Sequence, residues 1–110
     1  REWGAELENN PMFPNRTNVQ FAQVLDERTV DVRVWERGAG ETQASGSSSC
    51  AAASAAVRLG LVKAPVKVNA PGGTLRIDLD ADYNLTMEGA VDEVGRGKLS
   101  SSFVRELKGR

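Results

Sequence analysis

The chain has 110 residues, 14 basic and 15 acidic side chains, a formal net charge of −1 at pH 7, and no histidine. This length suits one domain with one core, and the interspersed charges give no basic stripe for nucleic acid. Without histidine the chain cannot form a Ser-His-Asp or Cys-His arrangement or a histidine-bearing zinc site, so carboxylates, the thiol or hydroxyls must carry any acid–base chemistry.

The first third of the chain predicts a loop-rich entry and a β-hairpin. The chain opens at Arg1 with no initiator methionine and no signal peptide, so we expect a fragment of a longer protein. Residues 4–17 contain two prolines and three asparagines, which favours an entry strand followed by a loop. Residues 19–25 and 30–34 show the two-residue periodicity of strands around a turn at residues 26–28, which is the pattern of a hairpin.

A single helix is predicted in the middle of the chain. The polar run at residues 42–49 suits a helix N-cap, and the alanine-rich stretch that follows ends at Gly60, so we predict a helix over about 47–59. The apolar stretch at residues 50–62 is shorter than the roughly 18 residues that a membrane span needs. Cys50 is the only cysteine, which excludes an internal disulfide, and we expect it on the buried side of the helix.

The remainder of the chain predicts short strands and a tail. Strand periodicity occurs in four segments, at residues 66–70, 75–79, 83–87 and 91–99. The polar tail at residues 100–110 carries three apolar side chains at helical spacing, which favours either a short helix or a frayed end. We therefore predict an α+β fold in which about six antiparallel strands pack against one helix, with a domain over residues 1–99 followed by the tail.

Two weak motifs are set aside. Gly38 and Gly40 match the start of a dinucleotide-binding glycine motif, but the third glycine is missing and no β-α-β unit is predicted around them. Asp78, Asp80 and Asp82 alternate along a strand end and could bind a cation, although a solvated strand face explains them better. We expect no metal site.

The informative segment covers residues 35–51. It places Glu36 and Arg37 at the end of a strand and then leads through a glycine-softened loop to a helix start at Gly46 and Ser47. The free N–H groups and the positive dipole end of a helix N-terminus favour a carboxylate, and an arginine can bind the same carboxylate through two nitrogens. The pattern predicts a pocket for the charged backbone of an amino acid, while ordinary turn and cap chemistry explains the same residues equally well.

This segment resembles the signature of the diaminopimelate epimerase family, in which an E-R-G-x-G-E-T run leads to A-C-G-[ST]-G at a helix start. The upstream residues 13–19, Phe-Pro-Asn-Arg-Thr-Asn-Val, are similar to the family's F-P-x-x-T-N-V element. Further similarities follow in the family's order at Leu59-Gly60-Leu61, at the Pro71-Gly72-Gly73 turn, and at Met87-Glu88-Gly89, which resembles the family's M-T-G. The likeness therefore extends to about Leu99.

The resemblance implies a fold and an activity. Members of this family have two similar halves, each an antiparallel sheet curled around a central helix, with the substrate between them. A thiolate of one half removes the α-proton and the thiol of the other half donates a proton to the opposite face. The chain resembles the C-terminal half, so the implied partners are an amino-acid substrate and the missing N-terminal half. The implied function is cofactor-independent conversion of LL- to meso-diaminopimelate in cytoplasmic lysine biosynthesis, with no nucleic-acid or membrane partner and with a homodimer possible.

The resemblance also implies site residues. Asn18 corresponds to an asparagine that contacts the distal end of the substrate, although a turn-capping asparagine is the alternative. Glu36 and Arg37 correspond to a pair that holds the substrate, the glutamate also tuning the acid–base groups, and a surface ion pair is the alternative. Gly46 and Ser47 correspond to the pair whose backbone N–H groups hold the α-carboxylate.

The chain departs from the family pattern at the catalytic position. Ser45 stands where the family has its cysteine, and Ser48 replaces the glycine that closes the signature. A thiol has a reference pKa of about 8.5, which a helix N-terminus can lower, whereas a serine hydroxyl is far less acidic. Ser45 is therefore expected to be a poor base and a slow acid, and Cys50, one helical turn further on, is not expected to replace it.

Three explanations for Ser45 stay open. The serine could be an engineered replacement, it could belong to a one-base isomerase of the same fold, or it could mark a paralogue that binds an amino acid without catalysis. The serine-rich run around Ser48 favours natural divergence over a single designed replacement. In each case we expect the isolated chain to be inactive, because half of the cleft is absent.

Overall fold

The computed structural model describes all residues from Arg1 to Arg110 and contains three helices and six strands. The elements follow in the order α1 (Glu2–Glu8), β1 (Val19–Asp26), β2 (Thr29–Glu36), β3 (Gly40–Thr42), α2 (Gly46–Arg58), β4 (Val66–Ala70), β5 (Gly73–Leu79), β6 (Leu85–Gly89) and α3 (Ser101–Lys108). The α+β prediction is confirmed, as are the hairpin, the central helix and the three strands that follow it. None of the three helices has the length and apolarity required to cross a membrane.

The sheet is mixed rather than purely antiparallel. Its strand order is β1-β2-β4-β5-β6, with β3 also paired to β2, and every neighbouring pair is antiparallel except β2 and β4. Val30 of β2 pairs with Val68 of β4 in this parallel ladder. The chain between the two strands passes through α2, and such a helical crossover is what brings two strands side by side in the same direction. This β2-α2-β4 crossover does not match the dinucleotide-binding pattern, because Gly38 and Gly40 lie at the β2–β3 turn and not at the helix start.

The core lies between α2 and one face of the sheet. Successive strand side chains point to opposite faces, so Val30, Val32 and Val34 of β2 and Val66 and Val68 of β4 are buried on the face toward α2, and β5 adds Ile77. The small alanines of α2 let the helix approach five strands closely. The ten buried apolar residues are Val30, Val32, Val34, Ala52, Ala53, Ala56, Val62, Val66, Val68 and Ile77.

The prediction of an entry strand near the N-terminus was wrong, because residues 2–8 form helix α1. Ala5, Glu6 and Leu7 are good helix formers, and the helix lies against the indole ring of Trp35. Gly4 makes this approach possible, since a Cβ at that position would lie 2.6–2.8 Å from carbon atoms of the ring. The N-terminal segment is thus a helix that packs next to the β2–β3 turn.

The predicted strand over residues 91–99 was also wrong. This segment has no regular secondary structure, and Val91 and Val94 are 93% and 99% exposed. Two glycines within it and the absence of a partner strand explain why its alternating pattern forms no ladder. The tail then forms α3, whose N-cap Ser100 accepts a hydrogen bond from the N–H of Phe103 at 3.3 Å.

Candidate functional site

Helix α2 begins with unpaired backbone donors. Ser45 is the N-cap, with extended backbone angles φ −152° and ψ 121°, and its Oγ accepts the N–H of Ser48 at 3.3 Å. Its carbonyl accepts the N–H of Ser49 at 3.0 Å. The N–H groups of Gly46 and Ser47 have no partner in the chain, as expected for the first two helical positions. The helix start can therefore donate two hydrogen bonds to an anion, and the helix dipole favours negative charge there.

A cavity of about 500 Å³ lies in front of this helix start. Ser45, Gly46 and Ser49 form the helix side of the cavity, while the β4–β5 turn, Met87 and residues 90 and 92 form the other walls. The turn is tied to the helix entry, because the N–H of Gly72 donates to the carbonyl of Gln43 at 2.7 Å. Gly46, which lines the cavity, is half-buried, and Ser47, which follows it, is exposed.

Asn18, Glu36 and Arg37 form a second group at one end of the β1–β2 hairpin. The register that pairs Val19 with Trp35 brings Asn18 opposite Glu36. Asn18 Oδ1 accepts the N–H of Arg37 at 2.7 Å, and Arg37 Nη1 donates to the carbonyl of Asn15 at 3.2 Å. Asn18 thus caps the turn through its oxygen and keeps its NH₂ group free. Neither Glu36 nor Arg37 takes part in an ion pair.

The two groups do not share a cavity. The cavity at the helix start is lined by neither Asn18 nor the Glu36–Arg37 pair. They are connected through β1, because Gln20 Nε2 donates to Ser48 Oγ at 3.0 Å and Gln20 follows Asn18 by two residues. Ser48 is almost fully buried, so its hydroxyl is held inside the protein. The predicted site residues therefore form two polar groups, one at the start of α2 and one at the end of the hairpin, and the hydrogen bond from Gln20 to Ser48 links these two elements.

Glu8 is a charged residue that the sequence reasoning missed. It is buried, and its carboxylate accepts hydrogen bonds from Trp35 Nε1 at 2.6 Å and from the N–H of Gly38 at 3.1 Å. Arg16 Nη1 completes the group with an ion pair at 3.2 Å. The hydrogen bond from Trp35, then that from Gly38, and the positive charges of Arg16 and Arg37 hold the pKa of Glu8 below its ordinary value, although burial opposes this.

No local sequence signal pairs Glu8 with Trp35, because the two residues are 27 positions apart. The one available clue was that Gly4 and Glu8 share a helix face at a spacing of four residues, and this clue disappears once the segment is taken as a strand.

The thiol of Cys50 does not take an acid–base role at the helix start. Cys50 is half-buried and packs against the apolar core, and burial raises the pKa of its thiol. A raised pKa means less thiolate near neutral pH, so this cysteine behaves as a packing residue.

The aspartates at the end of β5 organise a turn. Asp80 Oδ1 accepts the N–H groups of Asp82 at 2.8 Å and Asn84 at 3.0 Å. The hydrogen bonds of Asn84 to its carboxylate lower the pKa of Asp80. No group of three acidic or cysteine side chains is arranged to hold a metal ion.

Comparison with known proteins identifies what the chain is similar to. Residues 1–94 match the sequence profile of the family described as Diaminopimelate epimerase. The chain is 48% identical over 103 residues to Diaminopimelate epimerase 2 of a Nostoc species, which covers 94% of the chain and 36% of that protein. It is 54% identical over 77 residues to Diaminopimelate epimerase of Stutzerimonas stutzeri, covering 70% of the chain and 28% of the relative. The chain thus spans about a third of the length of the curated relatives it matches.

Proposed function

Since this chain belongs to the diaminopimelate epimerase family, we propose that it is the C-terminal half of an amino-acid epimerase and that it binds diaminopimelate against the start of α2. The missing N-terminal half supplies the other wall of the cleft and an acid–base group of its own. In this proposal the reaction inverts the configuration of the α-carbon without a cofactor. The enzyme acts in the cytoplasm and can form a homodimer.

The observation that carries the proposal is the pair of free N–H groups at Gly46 and Ser47, of which Gly46 lines the open cavity together with Ser45. When the α-proton leaves, negative charge spreads onto the α-carboxylate. Backbone donors already aimed at that carboxylate stabilise this charge without reorganisation, and the helix dipole adds to the effect. The helix start thus supports both binding of the substrate and acidification of its α-carbon.

The hairpin group supplies the remaining contacts in this proposal. Arg37 is exposed and free of ion pairs, so its guanidinium can bind a substrate carboxylate through two nitrogens. Glu36 can accept from a substrate ammonium. Asn18 uses its oxygen to cap the turn, so only its NH₂ group is left to donate to the distal carboxylate.

Ser45 sets the rate of the proposed reaction. Its Oγ accepts the N–H of Ser48, which opposes removal of a proton by that oxygen, while its O–H can still donate. Ser45 therefore suits slow donation to the α-carbon better than proton abstraction, and the partner half would act as the base. This feature also favours a second candidate, in which the chain belongs to an amino-acid-binding paralogue or a one-base isomerase.

Substitution of Gly46 by proline tests the carboxylate site. Proline at the first helical position removes one N–H group and leaves the helix intact, and the extended backbone of Ser45 is the conformation that a residue before proline prefers. Gly46→Ala is the matched control, because its Cβ meets Met87 at the same 3.2 Å while the N–H group stays.

The host for this test is a chimera that joins this chain to the remaining two thirds of the Nostoc relative. We expect the Kd for diaminopimelate to rise roughly tenfold in Gly46→Pro and to change little in Gly46→Ala, since one hydrogen bond to a charged group is lost. Equal affinities for the two variants would refute the carboxylate site.

Deuterium incorporation at the α-carbon of diaminopimelate separates the two candidates. An epimerase half predicts exchange by the chimera and none by the 110-residue chain alone. Binding by the chimera without exchange supports the paralogue that only binds, and exchange by the isolated chain would contradict the need for a second half.

A further inference from the structure

The structure places a charged carboxylate beneath the turn that carries Glu36 and Arg37. We propose that Glu8 is a positioning residue, which holds the β2–β3 turn and thereby sets where Glu36 and Arg37 stand toward the substrate. This inference rests on the proposed function, because it takes the Glu36–Arg37 pair as part of the substrate site.

Glu8 binds the two residues that flank the Glu36–Arg37 pair in sequence. One carboxylate oxygen accepts the indole N–H of Trp35, the residue before Glu36, and the other accepts the backbone N–H of Gly38, the residue after Arg37. The side chain of Glu8 is only 8% exposed, so water competes little for these bonds. A single carboxylate therefore holds a residue on each side of Glu36 and Arg37.

The entry loop is joined to the same turn. Arg16 pairs with the carboxylate of Glu8, and Asn18 caps the N–H of Arg37. Two consecutive N–H groups of the turn, those of Arg37 and Gly38, are thus held by side chains from the N-terminal segment. Gly38 has a φ of +80°, a conformation that other residues rarely adopt, so this turn favours glycine at that position.

The role is one of positioning because Glu8 lies outside the apolar core. Helix α1 contacts β1 and β3, and none of the ten core residues belongs to α1. Loss of the carboxylate is therefore expected to release the turn locally while α2 and the sheet keep their packing. Such an effect appears in ligand affinity and local exchange before it appears in global stability.

Glu8→Gln is the discriminating variant, since it keeps the size of the side chain. An amide can present its oxygen to only one of the two donors, so its NH₂ group faces either the indole N–H of Trp35 or the N–H of Gly38. Glu6→Gln is the matched control, because Glu6 is an exposed glutamate of the same helix whose side chain takes part in no ion pair. Arg16→Gln is a second variant, which removes the ion pair to the half-exposed Arg16 and keeps the carboxylate of Glu8, so its effect should be smaller.

Two measurements test the proposal. Amide hydrogen exchange at Gly38 is followed in the 110-residue chain, and the Kd for diaminopimelate is measured in the chimera. We expect Glu8→Gln to speed exchange at Gly38 by about tenfold or more and to weaken binding roughly tenfold, with smaller changes of the same sign in Arg16→Gln and none in Glu6→Gln. Exchange at the core residue Val32 should stay as slow as in the unmodified chain.

The outcomes separate this inference from the proposed function. If Gly38 stays protected in Glu8→Gln, or if Glu8→Gln and Glu6→Gln bind equally well, Glu8 does not position the site. If exchange at Val32 rises together with that at Gly38 in both Glu8→Gln and Arg16→Gln, the carboxylate is only a general stabiliser and the inference is wrong. If the unmodified chimera binds no diaminopimelate, the proposed function fails, while selective release of Gly38 still supports Glu8 as the residue that holds the turn.

Discussion

Substitution of Ser45 by cysteine should increase proton exchange and reduce stability at the same time. Ser45 is the N-cap of α2, and its Oγ accepts the N–H of Ser48 at 3.3 Å. A thiol is a weak acceptor, so Ser45→Cys leaves that N–H group without a good partner. Loss of an N-cap hydrogen bond typically costs about 1 kcal/mol of stability.

The gain in reactivity follows from the acidity of the thiol. With a reference pKa of about 8.5, a thiol is roughly one-quarter ionised at pH 8, and the dipole of α2 and the free N–H groups beside it increase this fraction. The hydroxyl of Ser45 provides no comparable base at this pH. Exchange of the α-proton of diaminopimelate by the chimera should therefore rise by a factor of about 100 or more, which is typical of a restored acid–base group.

The assay combines urea unfolding with deuterium incorporation at the α-carbon at pH 8. Ser47→Cys is the control, because it adds a thiol two residues away while the cap at Ser45 is kept. The reasoning is refuted if Ser47→Cys gains as much exchange as Ser45→Cys. It is also refuted if Ser45→Cys gains none although diaminopimelate still binds, a result that would favour the non-catalytic paralogue or a different isomerase.

Three further predictions concern Glu8, the apolar core and the position of α1. Hydrogen bonds lower the folded-state pKa of Glu8 below its ordinary 4.5, so the hold of its carboxylate on the N–H of Gly38 is complete above pH 4.5 and is lost as pH falls through the lowered pKa. The ratio of the exchange rates of the Gly38 amide in Glu8→Gln and in the unmodified chain should therefore fall toward one below about pH 4.5, and a ratio that stays constant would contradict this. Ile77→Ala, at a fully buried position, should cost about 3 kcal/mol in urea unfolding, whereas Val94→Ala, at a position 99% exposed, should cost less than about 0.5 kcal/mol. Gly4→Ala should displace α1, since its Cβ would lie within 2.8 Å of the Trp35 ring; an unchanged near-ultraviolet circular dichroism signal would count against it.

Much of the fold was predictable because its signals are local. The two-residue periodicity of β2 and of the first part of β4 follows from side chains that alternate between α2 and solvent. The serine at the N-cap and Gly60 after the helix mark the ends of α2. The segment at residues 91–99 shows the limit of such signals, since an alternating pattern forms a strand only where a partner strand lies beside it.

The candidate site was predictable in part for the same reason. Asn18, Glu36 and Arg37 could be named from short motifs, and the hairpin register brings them together. Gly46 begins α2, as the capping pattern indicates. That the cavity at the helix start is walled by the β4–β5 turn and not by the hairpin group was not predictable, because it depends on how that turn packs against the helix entry.

By itself, the sequence determined the α+β class, the central helix, the family and the residue types available for chemistry. Each of these follows from short local patterns and motifs, or from the lack of histidine in the chain. Only the tertiary structure decided the parallel pairing of β2 with β4 and the burial of Glu8 against Trp35 and Gly38. Both depend on contacts between residues about 30 or more positions apart along the chain. The parallel pairing forms when the sheet packs on α2, and the contacts of Glu8 form when α1 packs next to the β2–β3 turn. No local periodicity or capping pattern records either.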